Sequence, residues 1–432
     1  MIKHLDASSV DFEKSLQSIV SSTSEASDSV FETVSKIISD VRARGDDALL
    51  EYTNLYDHRS AKIESLQIKK SEIRVALDRV SDLMRDSLTE AARRIRIFHE
   101  KQKQETWTYK DDDGNELGQR ITPMDRVGVY VPGGKASYPS SVLMSVIPAQ
   151  VAGVKEIIMV VPTPEDERND LVLAAAAILG ISKIFSVGGA QAIAALAFGT
   201  ELIPKVDKIV GPGNIFVAAA KKEVFGCVGI DMIAGPSEVV IVADKNANAD
   251  WVAMDLLAQA EHDEEASAIL ISPDKNFIAC VEKSIMKFLP EMERANIIEA
   301  SLKNNGIMIR TEDFKQAIKI VNFLAPEHLE LAVSNPEVLL TDIKHAGAIF
   351  MGNYSAESLG DYCAGPNHVL PTGRTSKFSS PLGVYDFQKK TSLIKCENGS
   401  VSRIAGVASV LARGEGLTAH ARSAEFRNDF SE

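Results

Sequence analysis

The chain has 432 residues, which is enough for two or three domains with a well-buried core. Its 47 Lys and Arg residues against 60 Asp and Glu residues give a formal net charge of −13, which disfavours nucleic acid and anionic membrane surfaces as partners. The sequence has no apolar run of the roughly 20 residues that a membrane span needs, and its first residues lack the apolar core of a secretion signal. The four scattered cysteines form no CxxC pair, so we expect reduced thiols and a cytoplasmic location.

The first hundred residues combine a polar beginning with amphipathic helices. Residues 1–25 are polar and Ser-rich, which predicts an arm outside the core. A helix is predicted next, because five apolar residues share one helical stripe: Val30, Val34, Ile37, Ile38 and Val41. A longer helix is predicted over 71–106 from the same kind of spacing.

From residue 126 the pattern changes to short runs rich in Val and Ile, each of which ends in Gly or Pro. The runs are "RVGVYVPGG", "KEIIMVVPTP", "KIFSVGGAQ" and "DKIVGPGN", and helical stretches lie between them. Buried strands that alternate with helices predict a parallel, doubly wound sheet. Such a sheet binds its ligands at the carboxyl ends of the strands, where these glycines lie.

A second alternation of strands and helices runs from "SEVVIVAD" at 237–244 to "GAIFMGN" at 347–353. The fold class is therefore α/β with two doubly wound, Rossmann-like parallel sheets. Residues 354–387 resemble one long loop, and a loop of this length inside a globular protein is usually functional or poorly ordered. Its Gly, Asn, His and Asp content favours a functional loop. The chain from about residue 400 predicts two short helices.

The stretch "LAPEHLEL" at 324–331 places Glu327 and His328 side by side after Pro326. Proline is tolerated in the first turn of a helix and pushes the preceding residue towards an extended conformation. We therefore expect both side chains to lie where the chain enters a helix and to reach one cavity. Taken alone, the pair is more typical of a glutamate near a helix dipole and a half-exposed histidine.

Several other polar residues have spacings that suit metal or substrate binding. Gln259 and His262 are three residues apart, so they share one face of a helix and a metal could bridge them. Glutamine is an uncommon zinc ligand, and such a pair is usually an ordinary polar face. The remaining candidates would be exposed residues more often than not: Asp361, His368, Glu415 and His420.

The glycine loops give a weak signal individually. Neither "GPGNIF" at 211–216 nor "VGGAQA" at 187–192 matches GxGxxG, so the dinucleotide fingerprint is absent. A helix that begins after glycine can still hold a phosphate through its main-chain N–H groups. Structural glycine turns are an equally good interpretation of both segments.

Eight segments, taken together and in order, resemble the histidinol dehydrogenase family over nearly the whole chain. They are "YVPGGKASYPSSVLMSVIPAQVAGV", "VGGAQAIAALAFGT", "KIVGPGNIFVAAAK", "IAGPSEVVIVAD", "DLLAQAEHDEEA", "APEHLEL", "GDYCAGPNHVLPTGRTSKFSSPLGVYDF" and "EGLTAHA". The resemblance implies two α/β domains, an N-terminal arm and a C-terminal tail that reaches a partner subunit. We expect the arm to span residues 1–25 and the tail to span residues 386–432. The main domain, with the zinc and catalytic residues, is expected over 26–126 plus 238–385, and the NAD-binding domain over 127–237.

The resemblance also implies NAD, one zinc ion per subunit and a set of site residues. The implied zinc ligands, which also contact the substrate, are Gln259, His262, Asp361 and His420. Further implied substrate contacts are Ser237, His368 and Glu415, together with Glu327 and His328. The implied NAD contacts are Tyr130, Gln191 and Asn214.

The reaction implied by the resemblance is the oxidation of L-histidinol to L-histidine through bound L-histidinal, with two NAD, in histidine biosynthesis. His328 would act as the base, Glu327 would activate water, and zinc would orient the substrate. The expected assembly is a homodimer with sites shared between subunits. Two alternatives stay open: a sulfonated-diol dehydrogenase of the same superfamily and, in a different class, a zinc hydrolase. Glu415 and His368 suit a cationic, imidazole-bearing substrate and favour histidinol.

Overall fold

A computed structural model describes residues 2–21, 28–133, 138–397 and 400–427 of the chain. The described part forms two parallel sheets with helices on their faces, and one small antiparallel sheet. The elements of the N-terminal third are, in chain order, β1 (Lys3–Asp6), α1 (Phe12–Ser21), α2 (Asp28–Arg44), α3 (Asp46–Tyr56), α4 (Ile63–Leu66), α5 (Lys70–Arg79), α6 (Asp82–Glu100), β2 (Trp107–Lys110) and β3 (Glu116–Pro123).

The five-stranded sheet contains the Val- and Ile-rich runs of residues 126–230. Its elements are β4 (Arg126–Tyr130), α7 (Pro139–Ala152), β5 (Glu156–Val160), α8 (Asp170–Ile178), β6 (Lys183–Phe185), α9 (Gly189–Phe198), β7 (Lys208–Val210), α10 (Ile215–Val224) and β8 (Gly229–Ile230). The strands are parallel in the order β6-β5-β4-β7-β8. The strand order reverses between β4 and β7, which is where doubly wound sheets bind ligands.

The six-stranded sheet follows directly along the chain. Its elements are β9 (Glu238–Ala243), α11 (Ala249–Ala260), β10 (Ser267–Ser272), α12 (Lys275–Phe288), α13 (Ala295–Asn305), β11 (Gly306–Arg310), α14 (Phe314–Leu324), β12 (His328–Ala332), α15 (Pro336–Leu340), β13 (Ala348–Met351) and α16 (Glu357–Tyr362). All strands are parallel in the order β1-β11-β10-β9-β12-β13. The predicted α/β class with two parallel sheets is confirmed.

The N-terminal residues belong to this second sheet, so the expected arm outside the core is wrong for the part that the structure describes. Strand β1 pairs in parallel with β11 at the sheet edge. Phe12 and Leu16 of α1 are buried in the core beside β11. The edge position explains the polar sequence of β1, because only one side of an edge strand is covered. Of the predicted arm, residues 22–25 lie outside the described residues.

Helices α2 to α6 differ from the prediction in both continuity and partner. The single helix expected over 71–106 is two helices, since α5 ends at Arg79 and Ser81 caps α6 by accepting a hydrogen bond from the Met84 N–H. The expected main domain combines residues 26–126 with 238–385, yet these helices cover the five-stranded sheet. The stripe of α2 packs on α9 and α10, and α6 packs on α7.

The C-terminal region begins as a strand and ends as a helical pair. Strand β14 (Gln388–Lys395) pairs antiparallel with β3, which also pairs with β2. Helices α17 (Val401–Gly414) and α18 (Thr418–Glu425) follow, which confirms the two helices predicted after residue 400, and they pack on each other. Apolar side chains stay exposed on this pair: Val407, Val410, Leu411, Leu417 and Phe426.

The loop expected over 354–387 is partly structured. It contains α16 and two single 3₁₀ turns, Thr375–Lys377 and Val384–Phe387. Val369 and Leu382 are buried in the core of the five-stranded sheet, so the segment runs back from one sheet to the other. Within the described ranges, no helix is long and apolar enough to cross a membrane.

Candidate active site

Glu327 and His328 lie between a helix and a strand, so the predicted position at a helix entrance is wrong. Helix α14 ends at Leu324, and Ala325 adopts a left-handed conformation with φ of 50° as its C-terminal cap. Pro326 follows this cap, where proline is common because it cannot continue a helix. His328 is then the first residue of β12. The sequence signal was ambiguous because proline marks both the beginning and the end of helices.

The main chain of Glu238, at the start of the neighbouring strand β9, holds both side chains. Its N–H donates a hydrogen bond of 3.0 Å to Oε2 of Glu327. Its carbonyl oxygen lies 3.2 Å from Nδ1 of His328, which therefore donates from this nitrogen. When the imidazole is neutral, Nε2 of His328 is the nitrogen with the free lone pair. This nitrogen has no hydrogen-bond partner among the described residues and lies 3.6 Å from Oδ1 of Asp361.

Burial and neighbouring charges set the proton affinities of this pair. Burial raises the pKa of Glu327 to about 8, although the adjacent His328 works in the opposite direction. For His328, burial alone would lower the pKa. The carboxylates of Glu357, Glu327 and Asp361 outweigh burial and hold the pKa of His328 well above its usual 6.5. The pair therefore has one carboxyl group and one imidazole that both bind protons more tightly than usual.

A group of potential metal ligands adjoins the pair. Ligand atoms of His262, Glu357 and Asp361 all lie within 4.8 Å of one another. Burial lowers the pKa of His262, which favours the neutral imidazole that a metal requires. The hydrogen-bond pattern assigns the Gln259 amide with its nitrogen towards Glu357, to which it donates at 2.7 and 3.1 Å. Nitrogen and oxygen donors of this kind suit zinc.

Glu357 is the member of this group that the sequence analysis missed. Its side chain is buried and lies 3.6 Å from Nδ1 of His328. Burial raises the pKa of Glu357 to about 7. Glu357 and Asp361 are four residues apart on α16, which places them on one helix face. That spacing was visible in "ESLGD", but a glutamate at the start of a short helix ordinarily faces solvent.

A second buried acid pair lies behind Glu357. Oε1 of Glu330 accepts a hydrogen bond of 2.7 Å from the Glu357 N–H, at the first residue of α16. Glu330 also forms a side-chain hydrogen bond with Asp255 of α11. Burial is the main cause that raises the pKa of Asp255, to about 6, and it also raises the pKa of Glu330. Both carboxyl groups therefore bind protons more tightly than usual, and Glu330 anchors the start of the helix that carries Asp361.

His368 and Ser237, two of the expected substrate contacts, border the same region. His368 has no hydrogen-bond partner for Nε2 among the described residues. Burial lowers the pKa of His368, and Asp361 partly opposes this effect. Ser237 directly precedes β9, and its carbonyl oxygen accepts a hydrogen bond from Ser267.

The three expected NAD contacts lie together at the carboxyl edge of the five-stranded sheet. Tyr130 is the last residue of β4, and its hydroxyl accepts a hydrogen bond of 3.2 Å from the Gly189 N–H. Gln191 lies in the first turn of α9 and is buried, and its Oε1 has no partner within the described part of the chain. Asn214 caps α10 by accepting hydrogen bonds from Phe216 and Val217. A buried, unpaired acceptor beside a helix start suits a polar ligand such as NAD.

His420 and Glu415 do not join the site within one chain. Both are exposed, with Glu415 at the end of α17 and His420 in α18. His420 is not part of the group formed by His262, Glu357 and Asp361.

Comparisons with known proteins agree on one family. The family model described as histidinol dehydrogenase matches residues 20–428. A protein of Pseudomonas putida named histidinol dehydrogenase is 58% identical over 427 residues, which cover 99% of this chain and 97% of that protein. One of Chromobacterium violaceum with the same name is 57% identical over 424 residues, which cover 98% of each.

A solved structure leads to the same result. The crystal structure of histidinol dehydrogenase from Elizabethkingia anophelis superposes with a TM-score of 0.94 at 34% identity, covering 99% of this chain and 98% of that one. The resemblance inferred from the eight sequence segments is thereby confirmed. The chain belongs to the histidinol dehydrogenase family and is an oxidoreductase.

Proposed function

We propose that this protein oxidises L-histidinol to L-histidine through bound L-histidinal, with NAD as oxidant, in histidine biosynthesis. The observation that carries the proposal is the pair Glu327 and His328, fixed by the main chain of Glu238 beside His262 and Asp361. Family membership supports the use of NAD and zinc. NAD, when bound, accepts two electrons and one hydrogen from carbon in each of the two oxidations. A cytoplasmic location stays a prediction.

His328 acts as the base of the first oxidation. Its Nδ1–H is engaged by the Glu238 carbonyl, so Nε2 is the nitrogen that takes the proton of the alcohol. The contact with the Glu238 carbonyl fixes the ring, and a fixed ring keeps Nε2 aimed at one position. Oxidation of the alcohol leaves the aldehyde bound and one proton on His328. The hydrogen lost from the carbon passes to NAD with two electrons.

Glu327 acts in the second oxidation, in which water adds to the aldehyde carbon. Its carboxyl group is buried, and burial raises its pKa to about 8, so the ionised form is a stronger base than an exposed carboxylate. The Glu238 N–H holds Oε2, which leaves Oε1 for the water. Glu327 takes a proton from the water, the oxygen bonds to the aldehyde carbon, and the hydrate is oxidised to the carboxylic acid.

The residues proposed to hold zinc are Gln259, His262 and Asp361, with His420 of a partner subunit as the fourth. A zinc ion held there would orient the imidazole and amine of histidinol and neutralise part of the carboxylate charge around His328. The Gln259 amide, which contacts Glu357 of the same group, and the lowered pKa of the His262 imidazole support this ligand set. Ser237, His368 and Glu415 complete the proposed substrate contacts.

The proposed assembly is a homodimer in which α17 and α18 dock on the other subunit. His420 and Glu415 are exposed within one chain. The same helical pair exposes Val407, Val410 and Leu411, with exposures of 57%, 72% and 62%. A neighbouring apolar surface of this kind is typical of an interface rather than of a solvated helix.

Production of NADH from L-histidinol tests the proposal. We expect two NADH per L-histidine formed, and none when NAD is omitted. A sulfonated diol, supplied in place of histidinol, tests the related substrate class. If the purified, zinc-loaded protein reduces NAD with the sulfonated diol and not with histidinol, the proposed substrate is wrong.

A further inference from the structure

The turn that follows β7 is packed unusually closely against β4. Gly211 has φ of +113°, a conformation that side chains rarely adopt. A Cβ atom at this position would lie 2.0 Å from the main-chain oxygen of Tyr130. Only glycine fits, so the turn is pressed against the residue that ends β4. Asn214, which caps α10, lies three residues further along.

A buried ion pair holds both main-chain polar groups of Gly211. Oδ2 of Asp231 accepts a hydrogen bond of 2.7 Å from the Gly211 N–H. The ammonium group of Lys221 donates to the Gly211 carbonyl oxygen at 3.0 Å and to the other carboxylate oxygen of Asp231. The side chains of Lys221 and Asp231 are 3% and 1% exposed. The turn is therefore fixed from two sides.

Folding alone gives little reason for such a pair. Removing two charges from water costs several kcal/mol per ion in proteins, and well-packed apolar substitutes are often neutral or stabilising. The pair lies at the carboxyl edge of the five-stranded sheet, since Lys221 is on α10 and Asp231 follows β8. Its position beside Tyr130 and Asn214 points to a role in fixing that edge.

Asp231 also begins the connection between the two sheets. Residues 231–238 leave β8 and enter β9, and the Gly235 N–H along the way donates to the Thr372 hydroxyl at 2.6 Å. At the far end, the main chain of Glu238 binds Glu327 and His328. One segment of eight residues thus contacts the Gly211 turn at its beginning and the catalytic pair at its end.

We propose that Lys221 and Asp231 are positioning residues for the cofactor, which fix the Gly211 turn and thereby set the nicotinamide against the substrate held near His328. The pair touches neither substrate nor cofactor and acts through Gly211, Tyr130 and Asn214. This inference rests on the proposed use of NAD at that edge.

The test compares two double variants in otherwise unchanged protein. Lys221→Met with Asp231→Asn removes both charges and the donor to the Gly211 carbonyl, while one oxygen remains for the Gly211 N–H. The matched control is Lys208→Met with Asp386→Asn. Lys208 is the first residue of β7, at the end of the strand opposite to the Gly211 turn. Its ammonium group donates to Asp386 at 2.9 Å, and the two side chains are 11% and 24% exposed.

We expect the first variant to bind NADH about tenfold more weakly, the size of one hydrogen bond lost between the displaced Gly211 turn and the cofactor, with an equal rise in KM for NAD. Histidinol binding measured by calorimetry should stay unchanged. The control should bind NADH within about twofold of the original protein, because its pair lies away from the turn. Thermal unfolding shows whether both double variants are folded. Equal NADH affinities in the two folded double variants would overturn the proposal.

Two further measurements keep the test decisive. Asp231→Asn alone preserves the volume of the side chain and one hydrogen-bond acceptor. This single variant replaces the double variant if the latter does not fold. An unchanged NADH affinity of Asp231→Asn also overturns the proposal. NADH binding, followed by its fluorescence, needs no turnover. If the original protein binds NADH yet does not oxidise histidinol, the proposed substrate fails, and the comparison of variants still tests the positioning role.

Discussion

The two parallel sheets of this protein use opposite edges. In the five-stranded sheet the polar candidates lie at the carboxyl edge, where Tyr130 ends β4 and Asn214 follows β7. In the six-stranded sheet the catalytic candidates lie at the amino edge, where Glu238 begins β9 and His328 begins β12. The rule that ligands bind at carboxyl ends describes the first sheet and not the second.

The connection between the sheets explains the difference. Residues 231–238 run from the carboxyl end of β8 directly into the amino end of β9. A short connection of this kind brings the carboxyl edge of one sheet next to the amino edge of the other. We infer that the first sheet supplies the cofactor surface and the second supplies the reacting side chains. Variants at each edge separate these two contributions.

Metal removal is expected to have the largest effect on activity and to act only at the amino edge of the six-stranded sheet. A chelator should abolish histidinol oxidation, and zinc should restore it, because Gln259, His262 and Asp361 lie with the catalytic pair. NADH binding should persist in the metal-free protein. His262→Asn should lose bound zinc, measured by elemental analysis, together with turnover. Full activity in a demonstrably metal-free sample contradicts the account.

Glu327→Gln should separate the two oxidations at the amino edge. Removing a positioned base typically costs about 10²–10⁴-fold in rate. We expect a loss of this size for histidinal oxidation and a much smaller loss for histidinol oxidation, because water is needed only in the second step. Stopped-flow assays with each substrate measure the two rates. Equal damage to both steps would mean that Glu327 is structural.

Co-expression of two inactive variants tests whether the amino edge is completed by another chain. His328→Asn and His420→Asn should each be inactive alone. In a mixed dimer with shared sites, one site collects both changes and the other collects neither, so roughly half the normal activity should return. A doubly tagged heterodimer is assayed after purification. No recovery in that heterodimer would show that each site is built within one chain.

Gln191→Leu should give the smallest effect, and it concerns the carboxyl edge alone. Oε1 of Gln191 is buried without a partner among the described residues, so an apolar side chain of similar size should leave the free energy of unfolding unchanged or slightly higher. NADH affinity should fall by about tenfold, the value for one lost hydrogen bond. Thermal unfolding and NADH fluorescence measure both quantities. A destabilised variant with normal NADH affinity would remove Gln191 from the cofactor site.

Elements that are buried on both faces were easier to predict from the sequence than half-exposed elements. Strands covered on both faces, such as β5 and β9, are nearly continuous runs of Val and Ile and were predicted correctly. Strand β1 was missed because an edge strand is half exposed and can be polar, as "KHLD" is. The packing of α2 on the five-stranded sheet was missed because its apolar stripe shows only that one face is buried, and not against which sheet.

The sequence likewise identified only some of the residues at the candidate active site. The resemblance identified His262 and Asp361, which the structure brings together with Glu357. Glu357 was missed because buried and exposed carboxylates have the same sequence signal until their partners are known. His420 and Glu415 are exposed within one chain, so the roles proposed for them depend on the proposed partner subunit and follow from neither spacing nor the fold of one chain.

The most direct test of the division between the edges is the NADH affinity of His328→Asn. The histidine holds its position at the amino edge through Glu238, whereas Tyr130, Gln191 and Asn214 lie at the carboxyl edge of the other sheet. The account predicts that turnover of both histidinol and histidinal falls by about 10²–10⁴-fold, while the dissociation constant for NADH stays within about twofold of the original. A parallel loss of NADH binding in a folded variant would contradict the assignment of chemistry and cofactor binding to separate edges.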